Sequence, residues 1–358
     1  ALYVGVSSLE LVIAADRHYP CCTFSGSVLA LDTRDGHTLW KTRMLPPAEP
    51  IGMSDAGTQL SGPAGASVWG SPAIDEKRQR IYVGTGNSYT DALALNANAI
   101  VALELATGRI LWARQMTPRD NFNMACARPS ACPPGQACDL AGIGNCPKVV
   151  GPDVDFGAPT ILRKLANGKQ ILLASQKAAV VYGLDPDLEG AVLWSQRIGA
   201  GSPLGGIEWG SAADSTTIFA PVGDTLAPPG TAQPGLTAID IASGKKRWQV
   251  PAPVIRCGWG EVGCLHGLQQ AASAIPGVVF SGSLDGWLRA FDTRNGKLVW
   301  EIDTARDYST VNGVAAEGGS LDLGGATFAD GMMFLNSGYG RLVGRPGNVL
   351  LAFSVGGR

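Results

Sequence analysis

The sequence predicts an all-β fold of repeated antiparallel sheets, on three observations. Glycine and proline are abundant, at 48 and 23 residues, while only 16% of residues are charged, which favours short strands and turns over long helices. No convincing amphipathic helix is found. A tag of a small residue, an apolar residue and an acidic residue, followed by glycine and tryptophan, recurs along the chain. The five copies are Ala30-Leu31-Asp32 with Gly36 and Trp40, Ala102-Leu103-Glu104 with Gly108 and Trp112, Gly183-Leu184-Asp185 with Gly190 and Trp194, Ala238-Ile239-Asp240 with Gly244 and Trp248, and Ala290-Phe291-Asp292 with Gly296 and Trp300.

Each copy of the tag has an apolar run, a polar turn that closes on glycine, and a second apolar run that ends in tryptophan. This pattern is typical of a β-hairpin whose turn contains a residue with positive φ. Tryptophan is a large apolar plate with one N–H donor, which suits the docking of one sheet on the next. We therefore predict a β-propeller, one domain over residues 1–358, with roughly six blades in an incomplete ring.

The spacing of the tags predicts long inserted loops in the first part of the chain. The largest is a cysteine-rich insertion over residues 119–152. Long loops of compact domains usually carry function.

Net charge and hydropathy exclude two classes of function. The net charge is −2, from 28 basic and 30 acidic residues, so there is no basic surface for nucleic acid and no polybasic membrane patch. No apolar run approaches the roughly 20 residues that span a bilayer. The chain opens directly in an apolar strand without an initiator methionine or signal peptide, so we expect a mature chain or an N-terminally truncated one.

The eight cysteines predict disulfides in an oxidising compartment, and hence a periplasmic or secreted protein. They form three groups: Cys21 and Cys22; Cys126, Cys132, Cys138 and Cys146; and Cys257 and Cys264. The alternative for the second group is a zinc site, but its spacings lack the C-x-x-C pattern. C-x-x-C-H is also absent, so no c-type haem attachment is expected.

Several further motifs lie outside the repeated tag. They include Val4-Gly5-Val6-Ser7-Ser8-Leu9-Glu10, Gly65-Ala66-Ser67-Val68-Trp69-Gly70, Thr85-Gly86-Asn87, Ser175-Gln176-Lys177 and Gly205-Gly206-Ile207-Glu208-Trp209. In order and spacing these motifs resemble the quinoprotein alcohol dehydrogenases over nearly the whole chain. Residues 21–24, 151–157, 275–283, 336–340 and 346–351 are most similar to the polyvinyl-alcohol dehydrogenase branch. The resemblance implies an eight-bladed propeller that holds pyrroloquinoline quinone (PQQ) and calcium on its axis.

The resemblance implies that Glu10, Asn87 and Asp155 are calcium ligands. Carboxylate and amide oxygens are suitable ligands for this hard cation. The alternatives are a solvated loop charge for Glu10 and an Asx-turn for Asn87.

The resemblance also assigns the contacts of PQQ. Trp69 matches the aromatic floor under the quinone, although it could instead be another tryptophan that docks sheets. The adjacent pair Cys21 and Cys22 matches the disulfide roof, although it lies in a different loop from that of many relatives. Lys177 matches the cation at the reactive quinone oxygens, where it also has a catalytic role; the alternative is a surface lysine at a strand end. Further expected neighbours of the cofactor are Ser7, Glu208 and Trp209.

The catalytic base implied by the family is an aspartate near calcium. Asn123 occupies the expected position, and an amide cannot act as a base. The pattern realigns after the insertion, so we predict Asp155 as the base, then Asp153, then Asp120. All three could instead cap turns beside glycine and proline. In the family that the chain resembles, lanthanide enzymes carry an extra aspartate two residues after the base. If Asp155 is the base, Gly157 stands at that position and calcium is implied. If Asp153 is the base, Asp155 stands there and a lanthanide is implied.

The resemblance implies oxidation of an alcohol, such as the secondary alcohol polyvinyl alcohol, with electrons passed to cytochrome c. The alternative from another class is a non-catalytic propeller scaffold for protein–protein interaction, similar to outer-membrane assembly lipoproteins. A third possibility is a truncated chain that binds nothing. An incomplete ring would expose a strand edge, so we expect the isolated chain to dimerise or aggregate.

Overall fold

The computed structural model describes residues 1–127, 140–257, 265–339 and 344–355. Their secondary structure is almost entirely antiparallel sheet, and the all-β prediction is confirmed. The chain divides into two compact units. The first is Ala1–Leu162 with Asp185–Ala191, and the second is Arg163–Leu184 with Val192–Arg358. The predicted single domain and its blade count stay predictions.

The strands up to residue 115 form two sheets and a hairpin. The first sheet contains β1 (Leu2–Val6), β2 (Ser27–Leu31) and β3 (Thr38–Arg43). The hairpin contains β4 (Glu49–Met53) and β5 (Gln59–Gly62), and the next sheet β6 (Ala73–Asp75), β7 (Arg80–Gly84), β8 (Ala99–Glu104) and β9 (Ile110–Gln115). Two short helices lie in loops: α1 (Glu10–Ile13) and a 3₁₀ helix (Met124–Ala127).

The later strands form four sheets and a short ladder. Three sheets have four strands: β10 (Ile161–Lys164), β11 (Gln170–Gln176), β12 (Val180–Asp185), β13 (Ala191–Arg197); β14 (Ala212–Ala213), β15 (Thr217–Val222), β16 (Gly235–Asp240), β17 (Lys246–Pro251); and β18 (Ser273–Ile275), β19 (Val278–Gly282), β20 (Trp287–Asp292), β21 (Leu298–Asp303). The ladder is β22 (Asp307–Tyr308) with β23 (Ala316–Glu317), and the last sheet is β24 (Thr327–Ala329), β25 (Met332–Tyr339) and β26 (Pro346–Ser354).

Burial follows strand order within the four-stranded sheets. The third strands β8 and β16 are buried except for their final acidic residue, whereas β17 and β21 are largely exposed. Apolar side chains of neighbouring sheets form separate cores, one around Val28, Val68 and Ile81 in the first unit and one around Phe219 and Phe291 in the second. Core formation by inward-facing strand residues is what the apolar runs of the tags predict.

Tag tryptophans dock on the turn of the next tag. Their indole N–H groups donate to the carbonyl that follows the acidic tag residue: Trp40 to Leu105 at 3.3 Å, Trp194 to Ile241 at 3.0 Å and Trp248 to Thr293 at 2.9 Å. The turn glycine lies against the ring; at Gly244, with φ of +70°, a Cβ would fall 2.6 Å from Trp194. Only glycine combines this backbone conformation with so close an approach.

The third tag departs from this pattern. Its turn runs five positions from Asp185 to Gly190, one more than in the other tags. The buried Trp112 Nε1 that faces this turn has no hydrogen-bond partner among the described residues. The carbonyl that follows the acidic tag residue, that of Pro186, instead accepts a hydrogen bond from Arg80 Nη1 at 3.1 Å. The extra residue therefore replaces the indole hydrogen bond by an arginine contact.

Candidate functional site

Asn87 and Asp155 come together at the end of β7. The backbone N–H of Asn87 donates to Asp155 Oδ1 at 2.6 Å, and both residues are buried. The Asn87 side-chain amide donates to the carbonyls of Ser88 at 2.9 Å and Phe122 at 2.7 Å. Because both amide hydrogens have acceptors, the side-chain oxygen of Asn87 is the atom left to accept a hydrogen bond or bind a cation.

Trp69 lies near the Asn87–Asp155 pair, because the backbone just after Asp155 packs directly on its indole ring. Gly157, two residues after Asp155, runs against the indole so tightly that a Cβ would overlap the ring. The Phe156 N–H donates to the Thr85 carbonyl at 3.2 Å, which ties this segment to the strand end before Asn87. The segment from Asp155 to Gly157 therefore contacts both Asn87 and the half-buried Trp69.

Asp120 holds the segment that carries Asp155. Its buried carboxylate accepts the backbone N–H groups of Asp153 and Val154, each at 2.7 Å, and the Asn98 amide at 2.6 Å. Burial raises the pKa of Asp120, and the nearby Asp155 charge acts in the same direction, while the two backbone N–H groups oppose it. Asp153 has a φ of +57°, a conformation that needs such fixation. Asp120 is thus a positioning residue, although the sequence left it as a third candidate base.

Asn123 has a structural role that explains its amide. Its Nδ2 donates to the carbonyls of Tyr89 at 3.0 Å and Asn145 at 2.8 Å, while its Oδ1 accepts the Ala125 N–H at 2.9 Å. An aspartate at position 123 could donate neither of the two hydrogen bonds to the Tyr89 and Asn145 carbonyls. The residue at the family's base position therefore joins the insertion to the loop after Asn87.

Glu10 is the first residue of α1 and is buried. Its carboxylate accepts four hydrogen bonds, from Tyr19 OH at 3.0 Å, Thr23 N at 2.8 Å and Oγ1 at 3.4 Å, and Phe24 N at 2.8 Å. Glu10 therefore fixes the backbone directly after the cysteine pair. Its assignment as a metal ligand stays a prediction.

The loop fixed by Glu10 carries a disulfide between Cys21 and Cys22, which are also joined by a cis peptide bond. Both cysteines are buried and pack with Tyr89 and Ala64. Ser7, by contrast, is exposed at the end of β1.

A second disulfide, Cys126–Cys146, closes the insertion. The disulfide prediction is confirmed for this pair, so these two residues are not thiolate ligands of zinc in this structure. Cys257 is also disulfide-bonded. Cys132, Cys138 and Cys264 lie outside the described residues.

Tyr89 was missed by sequence reasoning. Its hydroxyl lies 2.7 Å from Ser67 Oγ and is buried. Burial raises the pKa of the phenol, and the charges of Asp155, Glu10 and Asp153 raise it further, so the hydroxyl lies within electrostatic reach of three predicted site residues. Its position two residues after Asn87 was the available signal.

The second unit carries the other three predicted contacts. Lys177 is buried, and its carbonyl accepts the N–H groups of Ser202 at 3.2 Å and Gly206 at 2.9 Å. Gly206 begins the short segment that leads to Glu208. These bonds link Lys177 and the Glu208 loop within this unit.

Glu208 and Trp209 are each held by a side chain that the sequence did not identify. Gln269 Nε2 donates to Glu208 Oε2 at 2.6 Å, and the indole N–H of Trp209 donates to Asp322. Burial raises the pKa of the Asp322 carboxyl. Lys177, Glu208 and Trp209 stay predictions as cofactor contacts.

Comparison with known proteins identifies the family. Residues 11–131 match the family described as "PQQ: Glucose/ethanol/alcohol dehydrogenase, beta-propeller domain". Over its whole length the chain is 41% identical to a polyvinylalcohol dehydrogenase of Pseudomonas sp. and 40% identical to one of Sphingopyxis sp.. The chain belongs to the quinoprotein alcohol dehydrogenase family. It spans 55% of the length of each of these two relatives.

Solved structures agree on the fold of this quinoprotein. The quinohemoprotein alcohol dehydrogenase from Comamonas testosteroni superposes with a TM-score of 0.62 at 18% identity, covering 99% of this chain and 58% of that one. The propeller prediction is confirmed as to type. Among the described residues, no helix is long and apolar enough to cross a membrane.

The donor set suits the cofactors of the family in part. The Asn87 amide oxygen and the adjacent Asp155 carboxylate are ligands that a hard cation such as calcium prefers. Trp69, backed by Gly157, is an aromatic plate of the kind that a flat conjugated ring favours. Glu10 fits less well, because its oxygens already accept hydrogen bonds from the cysteine loop. The cluster of Asn87, Asp155 and Trp69 is therefore the part of the site whose chemistry suits calcium and PQQ.

Proposed function

We propose that this chain oxidises alcohols with PQQ, and that its substrates include secondary alcohols such as polyvinyl alcohol. The observation that carries the proposal is the buried contact of Asn87 with Asp155 beside Trp69. Two relatives identical at 40% or more over the whole chain are polyvinylalcohol dehydrogenases, which supports the substrate. The buried Asp155 carboxylate beside the Asn87 amide oxygen supports a cation site over a purely structural role.

In this proposal Asp155 takes the proton of the substrate hydroxyl. The Asn87 N–H at Oδ1 keeps the carboxylate in one orientation, and Asp120 fixes the backbone two residues before it. PQQ supplies the two-electron oxidant when bound, and the carbinol carbon becomes a carbonyl. Trp69, Ser7 and the Cys21–Cys22 disulfide, all in the first unit, would hold the ring system.

Calcium is the proposed ion, with Asn87 and Asp155 as its oxygen ligands and Glu10, whose oxygens already accept hydrogen bonds, as the third and less well fitting one. Its role would be to stabilise negative charge that develops during oxidation. A lanthanide remains the alternative if Asp153 is the base, because Asp155 would then be an added ligand. Titrating the chain and PQQ with each ion decides between them.

The test is turnover of a secondary alcohol by the purified chain loaded with PQQ and calcium, followed with an artificial electron acceptor. Asp155→Asn is expected to lower kcat by at least about 100-fold, because general-base catalysis contributes that much. Asp153→Asn is the matched control, and we expect a much smaller loss. A wild-type rate in Asp155→Asn, or no turnover with PQQ bound, would contradict the proposal.

We further propose that electrons pass to cytochrome c and that the protein works in the periplasm or outside the cell. The Cys126–Cys146 disulfide supports an oxidising compartment. Reduction of a c-type cytochrome by the loaded enzyme, and cell fractionation, test these two points separately.

A further inference from the structure

A cleft of about 850 Å³ in the first unit has Ser88, the residue after Asn87, and Asp120 in its lining. Four chain segments form its walls: the β4–β5 hairpin, residues 91–97, residues 115–121 and residues 148–149. We propose that this cleft binds the repeat units of a polymeric secondary alcohol that flank the reacting unit. The inference rests on the proposed function and adds a binding subsite to it.

Two residues in the lining of the cleft are tied to the candidate site. Ser88 follows Asn87 directly, and its N–H donates to the carbonyl of Asp120 at 3.0 Å. Both Ser88 and Asp120 line the cleft and are buried. Since Ser88 adjoins Asn87 and Asp120 holds the segment that leads to Asp155, these two residues join the cleft lining to the proposed reaction centre.

The lining is apolar and exposed where a ligand chain would lie. The large apolar side chains, with their exposed fractions, are Leu93 at 75%, Leu95 at 63%, Met53 at 61%, Val149 at 51% and Ile51 at 46%. Such side chains gathered on one cleft mark a binding surface more often than isolated ones do. The methylene backbone of a vinyl polymer is a matching apolar partner.

Polar groups of the cleft suit neutral hydroxyls rather than a positively charged ligand. The Asp91 carboxylate already accepts the N–H groups of Lys148 at 2.8 Å and Val149 at 3.1 Å, and the Asp120 carboxylate is likewise occupied. Arg119 and the Lys148 side chain also line the cleft and can donate to hydroxyl oxygens. A chain of alternating methylene and hydroxyl groups therefore meets both the apolar and the donor parts of the lining.

The volume of the cleft exceeds what a single short alcohol requires. A water molecule takes about 30 Å³, and a two- or three-carbon alcohol only a few times that. A cleft of about 850 Å³ lies near the upper end for a drug-sized ligand. Several repeat units would fit.

The experiment measures binding of polyvinyl alcohol oligomers to the purified chain by titration calorimetry, with and without PQQ. The double variant Leu93→Ser and Leu95→Ser removes two exposed walls, so folding should be retained. Leu188→Ser is the matched control, because Leu188 is 61% exposed and is not among the residues that line the cleft. Dextran, a neutral polymer without long apolar stretches, is the ligand control.

We expect at least about a tenfold weaker affinity in the double variant, because the apolar contact of two leucines is lost. The Leu188→Ser chain should bind as the wild type does. In the loaded chain, the ratio of KM for the polymer to KM for a short secondary alcohol should rise in the double variant.

The proposed polymer subsite would be overturned by equal polymer affinity in wild type and double variant. It would also be overturned by the absence of polymer binding or by equal binding of dextran. Turnover of short alcohols without polymer binding would overturn the cleft and leave the proposed function standing. If the chain binds the polymer through the cleft but does not bind PQQ, the polymer subsite is supported and the proposed function is contradicted.

Discussion

The tag turns and the site loops of this quinoprotein are held by different means. At a tag turn, one tryptophan packs on one glycine and donates one hydrogen bond, and the arrangement repeats, as in Trp194 on Gly244. In the site loops, single buried polar side chains each fix several backbone groups, as Asp120 does. Apolar docking therefore builds the scaffold, and a non-repeating polar network places the chemistry.

The largest effect should come from removing a docked tag tryptophan. Trp248→Ala leaves a cavity over Gly296 and deletes the bond to the Thr293 carbonyl, and we expect a loss of about 3–5 kcal/mol in the free energy of unfolding. Trp300 is 40% exposed, so Trp300→Ala should cost about half as much or less. Urea denaturation measures both; equal losses would show that docking does not carry the scaffold.

The polar network is tested at Asp120. Asp120→Ala leaves the N–H groups of Asp153 and Val154 and the Asn98 amide without their acceptor in a buried place. We expect a loss of about 2–4 kcal/mol in unfolding free energy, because each unsatisfied buried donor is costly. The exposed Asp307→Ala is the control and should change stability by less than about 0.5 kcal/mol. A neutral Asp120→Ala would remove the basis for calling it a positioning residue.

The exceptional third tag sharpens the comparison. Trp248→Phe loses a hydrogen bond, whereas Trp112→Phe removes an N–H that has no partner among the described residues. Both variants lose similar volume. We therefore expect Trp248→Phe to be less stable than Trp112→Phe by about 1 kcal/mol in chemical denaturation. The reverse order would mean that the indole hydrogen bond is not part of docking.

The smallest effect concerns Tyr89 and depends on pH. Burial and nearby carboxylates raise the pKa of this phenol, so the unfolded chain ionises it first, near pH 10. The stabilisation by neutral Tyr89 is present below that pH and is lost as the pH rises above it. Tyr89→Phe should cost about 1 kcal/mol at neutral pH, and its difference from wild type should shrink in alkaline solution. A difference that is constant with pH would contradict the placement of Tyr89 near these charges.

Sequence alone predicted the tag turns well because the same packing of tryptophan on a turn glycine recurs. A tryptophan plate needs a glycine with positive φ opposite it, so the residues appear together at fixed spacing. The fold type followed from that repetition. The longer Asp185 turn was visible in the spacing, but its consequence for Trp112 depends on which carbonyl the indole meets.

The site was only partly predictable, for a different reason. Asn87 follows β7, whereas Trp69 precedes β6 and Asp155 precedes β10, and the structure places these three in one cluster. The roles of Asp120 and Asn123 depend on backbone groups that are distant in sequence. Tyr89 contacts the distant hydroxyl of Ser67, and only its nearness to Asn87 marked it. Buried polar side chains that hold loops have no periodicity to find.

Binding of PQQ to the purified chain in the presence of calcium tests the central claim most directly. Quinone absorbance and retention after dialysis are compared for wild type, Trp69→Ala and Trp300→Ala, the last as a tryptophan from a tag. The account predicts tight binding in wild type and Trp300→Ala and its loss in Trp69→Ala. Equal retention in Trp69→Ala and wild type, or no binding in any of the three, would contradict a PQQ site at the Asn87–Asp155–Trp69 cluster.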